Sequence, residues 1–74
     1  MVILKQKSVV NLAVFSTNVA KARKQASLTQ DQLAWKAGIA DNQIGRIERG
    51  EISASLKTMF KIAKALSIEV KELF

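Results

Sequence analysis

Apolar residues along the 74-residue chain recur at intervals of three and four, the spacing of one helix face. From Leu12 to Gln25, at about 100° per residue, Leu12, Phe15, Val19, Ala22 and Ala26 share a face. Thr17, Lys21 and Lys24 lie opposite, and Arg23 sits at the edge of the apolar side. Thr29, followed three residues later by Gln32, is a capping-box pattern. Leu33, Ala34 and Ala37 form a short apolar face, and Gly38 is a helix-ending glycine, so a second helix is expected from Gln30 to Ala37. Ile39 and Ala40 lead directly into a third helix within IADNQIGRIERG, closed by Arg49 and Gly50. Two helices joined by so tight a glycine turn make a helix-turn-helix arrangement. Ser55 is the expected cap of a fourth helix, Leu56 to Leu66, with Leu56, Met59, Phe60, Ala63 and Leu66 inward, and Ser67 breaks it. A last helical turn, Val70 to Phe74, carries Leu73 and Phe74 to the core. No repeat, low-complexity tract or linker interrupts this order.

The third helix divides by face. With Ile44 at the origin of a helical wheel, Ala40 and Ile47 fall within about 60° of it. Asn42, Arg46 and Arg49 fall opposite, at about 140–200°, with Asp41 and Gln43 beside them and Gly45 at about 100°. The outward face thus carries an amide, two guanidinium groups and bare backbone. Arginine can bond guanine O6 and N7 as a fork, and Asn or Gln can bond adenine N6 and N7. An ordinary solvated face carries the same residue types. Gly45 costs about 1 kcal/mol of helix propensity relative to alanine, and clearance for close approach to another surface would account for it. Glu48 falls about 40° from Ile44, on the core side. A buried carboxylate needs a partner, and Arg23, at the rim of the first helix's apolar face, is the expected one.

Composition narrows the chemistry. The chain has no cysteine and no histidine, so a thiolate metal site and a disulfide framework are excluded, and the commonest general base is missing. No catalytic residue, metal site or cofactor is expected. No proline, three glycines and 49% hydrophobic residues suit an all-α bundle. Twelve Lys and Arg against six Asp and Glu give a net charge of +6, which points to a polyanion such as DNA, RNA or an anionic membrane surface. The excess is concentrated in residues 1–30, which hold five basic residues and no acidic one.

The run LTQDQLAWKAGIADNQIGRIERGEISASLKTMFKIAKALSIEVKELF resembles the phage-repressor and Cro-type helix-turn-helix family of bacterial and phage DNA-binding proteins. The marks are LTQ opening helix two, LA and AGI across the turn, IGRIERG closing the recognition helix, and KIAKAL with a terminal ELF. Together they are highly specific, and the resemblance spans Phe15 to Phe74. It implies a compact five-helix, lambda-repressor-like domain over 14–74, with the third helix in the major groove and the second across the backbone. Carried over, Asp41, Asn42, Gln43 and Arg46 would face base edges. Gln30, at the positive start of helix two, would meet a phosphate with Thr29 beside it. Arg49, Ser53 and Ser55 would meet the adjacent backbone. Arg23 and Glu48 match the family's internal ion pair. The resemblance implies a sequence-specific transcriptional regulator of double-stranded DNA, dimeric on a palindromic operator.

The chain departs from the family's pattern at several positions. Ala40 stands where Ser or Thr often caps the recognition helix, so Asp41 is a candidate cap. Ala54 replaces a common proline, and Ser67 a common glycine. Trp35 takes a usually polar place, either packing on a helix edge or meeting a partner. Residues 1–13 lie outside the resemblance and either extend helix one or form an arm that crosses to a second subunit. Lys57, Lys61 and Lys64 form a stripe that reads as a solvated face. Lys5 and Lys7 before VVNLAVF only faintly resemble a signal peptide, and no segment suits a bilayer, so a cytoplasmic protein is expected. The second functional expectation is an antitoxin-like protein-interaction module, with the N-terminal segment and Trp35 facing the partner and DNA binding secondary.

Overall fold

Local chemistry satisfies the end groups at several of the helix ends. A computed structural model describes the backbone of residues 2–74 and the side-chain surroundings of residues 13–74. Four α-helices, α1 (Val2–Gln25), α2 (Gln30–Ala37), α3 (Asp41–Glu48) and α4 (Leu56–Ala65), are followed by a 3-10 turn, Val70–Leu73. The described residues contain no strand, so the all-α class holds. The fifth helical element is a single four-residue 3-10 turn rather than an α-helix. α1 begins at Val2, not near Leu12. The expected inward place of Leu12 lies outside the described side chains.

At α2, Thr29 Oγ1 accepts from the Gln32 amide at 3.0 Å while the Gln32 side chain accepts from the Thr29 amide at 2.8 Å. The capping box therefore forms in both directions. Ser55 Oγ accepts from the Thr58 amide at 3.1 Å and caps α4.

All four α-helices end alike. A residue with left-handed backbone follows each one: Ser27, Gly38, Gly50 and Ser67, with φ of 60°, 70°, 73° and 58°. Its amide bonds back into the last turn, and the next amide reaches one residue further, as in Glu51 N to Arg46 O at 2.9 Å and Ile68 N to Ala63 O at 3.0 Å. This is the Schellman arrangement, which satisfies orphan carbonyls. Two of the four positions hold serine, whose Cβ makes left-handed backbone costly. Ser67→Gly should therefore raise stability by about 0.5–1 kcal/mol, read as a higher urea midpoint with unchanged slope.

The core joins α1, α2, α3, α4 and the 3-10 turn through Phe15, Val19, Leu33, Ile44, Ile47, Ile62 and Leu73, all essentially without solvent contact. Phe15 also stacks on Phe74 with ring centroids 5.4 Å apart, although Phe74, expected in the core with Leu73, remains exposed. The inward face of α4 holds in part: Ala63 and Leu66 are buried and Met59 is half-buried against the core, as expected, but Ile62 is buried as well, whereas Leu56 and Phe60 are 65% and 57% exposed. The face is set by Ile62 meeting the shared core, which periodicity within a ten-residue helix does not distinguish from its neighbours. Ala26 and Ala40, expected on apolar faces, are exposed because both lie in the connections between helices. Among the described residues, no helix is long and apolar enough to cross a membrane.

Candidate nucleic-acid interface

The helix-turn-helix is built from α2 and α3, joined by Gly38, Ile39 and Ala40. Gly38 supplies the left-handed backbone that reverses the chain, and Ile39, half-buried, packs on the core. α3 is anchored inward by Ile44 and Ile47. Its other face is open: Asp41, Asn42 and Arg46 are exposed, and Gln43 is half-buried. The structure thus brings the four candidate base readers onto one short helix. Ala40 precedes that helix with extended backbone and no side-chain capping bond. Asp41 is the first helical residue rather than the cap, so its carboxylate stays exposed, where the helix dipole favours it.

Arg23 and Glu48 meet across α1 and α3. Arg23 Nε donates to Glu48 Oε2 at 2.7 Å and Nη2 to Oε1 at 3.1 Å, a two-pronged pair with side chains only 11% and 6% exposed. Arg23 Nη1 also donates to the Leu28 carbonyl at 2.8 Å. The Glu48 hydrogen bond pushes the Arg23 guanidinium above its ordinary value, burial opposes this, and the Glu48 charge adds to the rise.

Gln30 joins this network, a link that the sequence reading did not draw. Its side-chain amide donates to Glu48 Oε1 at 3.0 Å, tying α2 to α3. Gly45 lies beside this contact. It is buried, and a Cβ there would stand 3.1 Å from Gln30 Oε1 and 3.0 Å from Arg49 Nη1. The clearance expected for an outside surface is taken up by side chains of this chain. The wheel placed Gly45 on the flank of α3 but could not show that α2 covers that flank.

Arg49, Ser53 and Ser55 are exposed at the far end of α3 and in the loop beyond it, and Thr29 is exposed at the start of α2. The Thr29 and Ser55 oxygens serve as helix caps. Arg49 Nε donates to Glu51 Oε2 and Nη2 to Oε1. Arg46 Nε lies 3.7 Å from Glu51 Oε1. The Arg49 hydrogen bond holds the Glu51 carboxyl below its ordinary range; slight burial opposes this, and the charges of Arg49 and Arg46 add to the lowering. Glu51 hydrogen bonding and charge push Arg49 up in turn. Sequence spacing does not single out Glu51 within its loop. The signal that could have found it is Arg-Gly-Glu at a helix end, where a left-handed glycine folds the next residue back over the last turn.

A helix-turn-helix family matches residues 19–73. An uncharacterised HTH-type transcriptional regulator of Methanocaldococcus jannaschii is 42% identical over 48 residues, 65% of this chain and 73% of that protein. The control protein C.SmaI of Serratia marcescens is 37% identical over 60 residues, covering 81% of this chain and 71% of that one. The crystal structure of the restriction-modification controller protein C.AhdI from Aeromonas hydrophila superposes with a TM-score of 0.83 at 35% identity, over 88% of this chain and 98% of that one. The chain belongs to the helix-turn-helix family of DNA-binding transcriptional regulators.

Proposed function

We propose that this regulator recognises a specific double-stranded DNA sequence through α3 in the major groove, as a homodimer on a palindromic operator whose occupancy controls transcription in the cytoplasm. The observation that carries the reading is the division of α3. Ile44 and Ile47 are sealed in the core, while Asp41, Asn42 and Arg46 stand exposed on the opposite side with Gln43 at its margin. Those four side chains read base edges, and Thr29, Gln30, Arg49, Ser53 and Ser55 meet the backbone on either side. One short helix offers few base contacts, and two copies on half-sites about 34 Å apart would multiply them. Leu56 and Phe60, one turn apart and exposed on α4, provide apolar surface for the second copy. The similarity to controller proteins supports the same reading.

Selection of bound sequences from a random DNA pool tests site, symmetry and spacing together. Arg46→Ala should relax preference at one base position by about 1–3 kcal/mol, while Gln30→Ala weakens all sequences alike. Equal loss on every sequence for Arg46→Ala removes it as a base reader. A monomer on a non-palindromic site removes the dimer. One observation favours a protein partner as the second reading: Trp35, on α2, is 84% exposed, more than a packing role needs. An antitoxin-like module would use it, and Trp35→Ala would then abolish partner capture while leaving DNA binding unchanged.

A further inference from the structure

Three of the four helix ends follow one rule, and the fourth breaks it. After the left-handed residue, α1, α2 and α4 each place an apolar side chain, Leu28, Ile39 and Ile68, half-buried against the core. The corresponding residue after α3 is Glu51, and it is exposed. The backbone is the same, with Gly50 N bonded to Ile47 O at 3.0 Å and Glu51 N to Arg46 O at 2.9 Å. That backbone turns the Glu51 side chain over the last turn of α3. There its two oxygens accept from Arg49 Nε and Nη2, and Oε1 stands 3.7 Å from Arg46 Nε.

Two oxygens sharing a negative charge, set on the fork of an arginine, are what a DNA phosphate would offer the same side chain. The pair sits at the end of the proposed recognition helix, with Arg46, Arg49 and Glu51 all about half exposed. An arginine engaged by its own chain's carboxylate must exchange that partner before it can neutralise a phosphate.

We propose that Glu51 is an internal competitor of DNA phosphate: it holds Arg49 in the free protein and so sets a ceiling on the regulator's affinity for DNA of any sequence. The inference rests on the DNA-binding reading and adds to it a residue that opposes binding. Its charge also reaches Arg46, the proposed base reader, at the longer distance. As a carboxylate, and one lowered further by Arg49, Glu51 is ionised throughout the neutral range.

The test is a double-mutant cycle on the full chain, Glu51→Gln and Arg49→Ala singly and together, with binding measured on a selected operator and on random duplex DNA across a salt series. Glu51→Gln should tighten binding to both DNAs by about three- to fivefold at 0.1 M salt, the range set by an exposed ion pair, and steepen the log–log salt slope by about 0.9, the signature of one more phosphate contact. In the Arg49→Ala background the gain should fall below about twofold, since the freed group is gone. Without DNA, the Glu51 carboxyl resonance should titrate at higher pH in Arg49→Ala than in the parent chain. A loss of affinity in Glu51→Gln, no change, or an equal gain in both backgrounds overturns the proposal while the parent still binds DNA. A parent chain that binds neither DNA overturns the DNA-binding reading itself, and the competitor falls with it.

Discussion

Glu48→Ala should destabilise the protein by about 3 kcal/mol or more, the range for stranding one member of a buried ion pair. Its carboxylate accepts from Arg23 twice and from Gln30 once. Removing it leaves a nearly buried guanidinium with only the Leu28 carbonyl. A small domain has little stability to spare, so the loss should appear as a large drop in the urea midpoint. Most of that cost is the penalty of the abandoned charge rather than the net worth of the pair. Replacing both partners by apolar residues of similar size, Arg23→Met with Glu48→Leu, should therefore cost less than Glu48→Ala alone. A loss under about 0.5 kcal/mol for Glu48→Ala would mean that water replaces the lost partner, as at a surface pair. The same variant should loosen α3 against both α1 and α2, because Glu48 is where the three helices share hydrogen bonds.

The second large effect is expected at Ile44. It is without solvent contact at the centre of α3, and truncation to alanine should cost about 2–5 kcal/mol, the lost transfer energy plus the cavity left behind. Asn42→Ala, one turn-half away on the open face, should change stability by no more than about 0.5 kcal/mol. Under conditions where Ile44→Ala remains folded, its preferred DNA sequence should be that of the parent, since Ile44 holds the reading face without belonging to it. A shifted preference with unchanged stability would reverse these roles.

Much of this arrangement is legible in the residues because local rules decide it. The bounds of α2 follow from Thr29, Gln32 and Gly38, whose capping chemistry is complete within ten residues. The Arg23–Glu48 pair was readable because a carboxylate on a core face must find a cation, and only one lay at a matching edge. What failed was tertiary. The face of α4 depends on Ile62 meeting residues far away in the chain, so Phe60 and Leu56 looked as inward as their neighbours. Gly45 reads as clearance for an outside surface, and only the folded chain shows the side-chain tips of Gln30, from α2, and Arg49, at the end of α3, beside it. Glu51 went unnoticed because its importance comes from backbone direction after Gly50, not from its spacing to either arginine.

The split character of α3 also bears on how such a protein can change over generations. Ile44, Ile47 and Glu48 secure the helix, whereas Asp41, Asn42 and Arg46 contribute little to the core. With α3 as the proposed recognition helix, stability and operator preference are written in different positions of one eight-residue segment. A lineage can exchange its target sequence through a series of folded intermediates, each altering the open side alone. The same separation lets an engineer graft a new reading face at 41, 42 and 46 onto an unchanged scaffold.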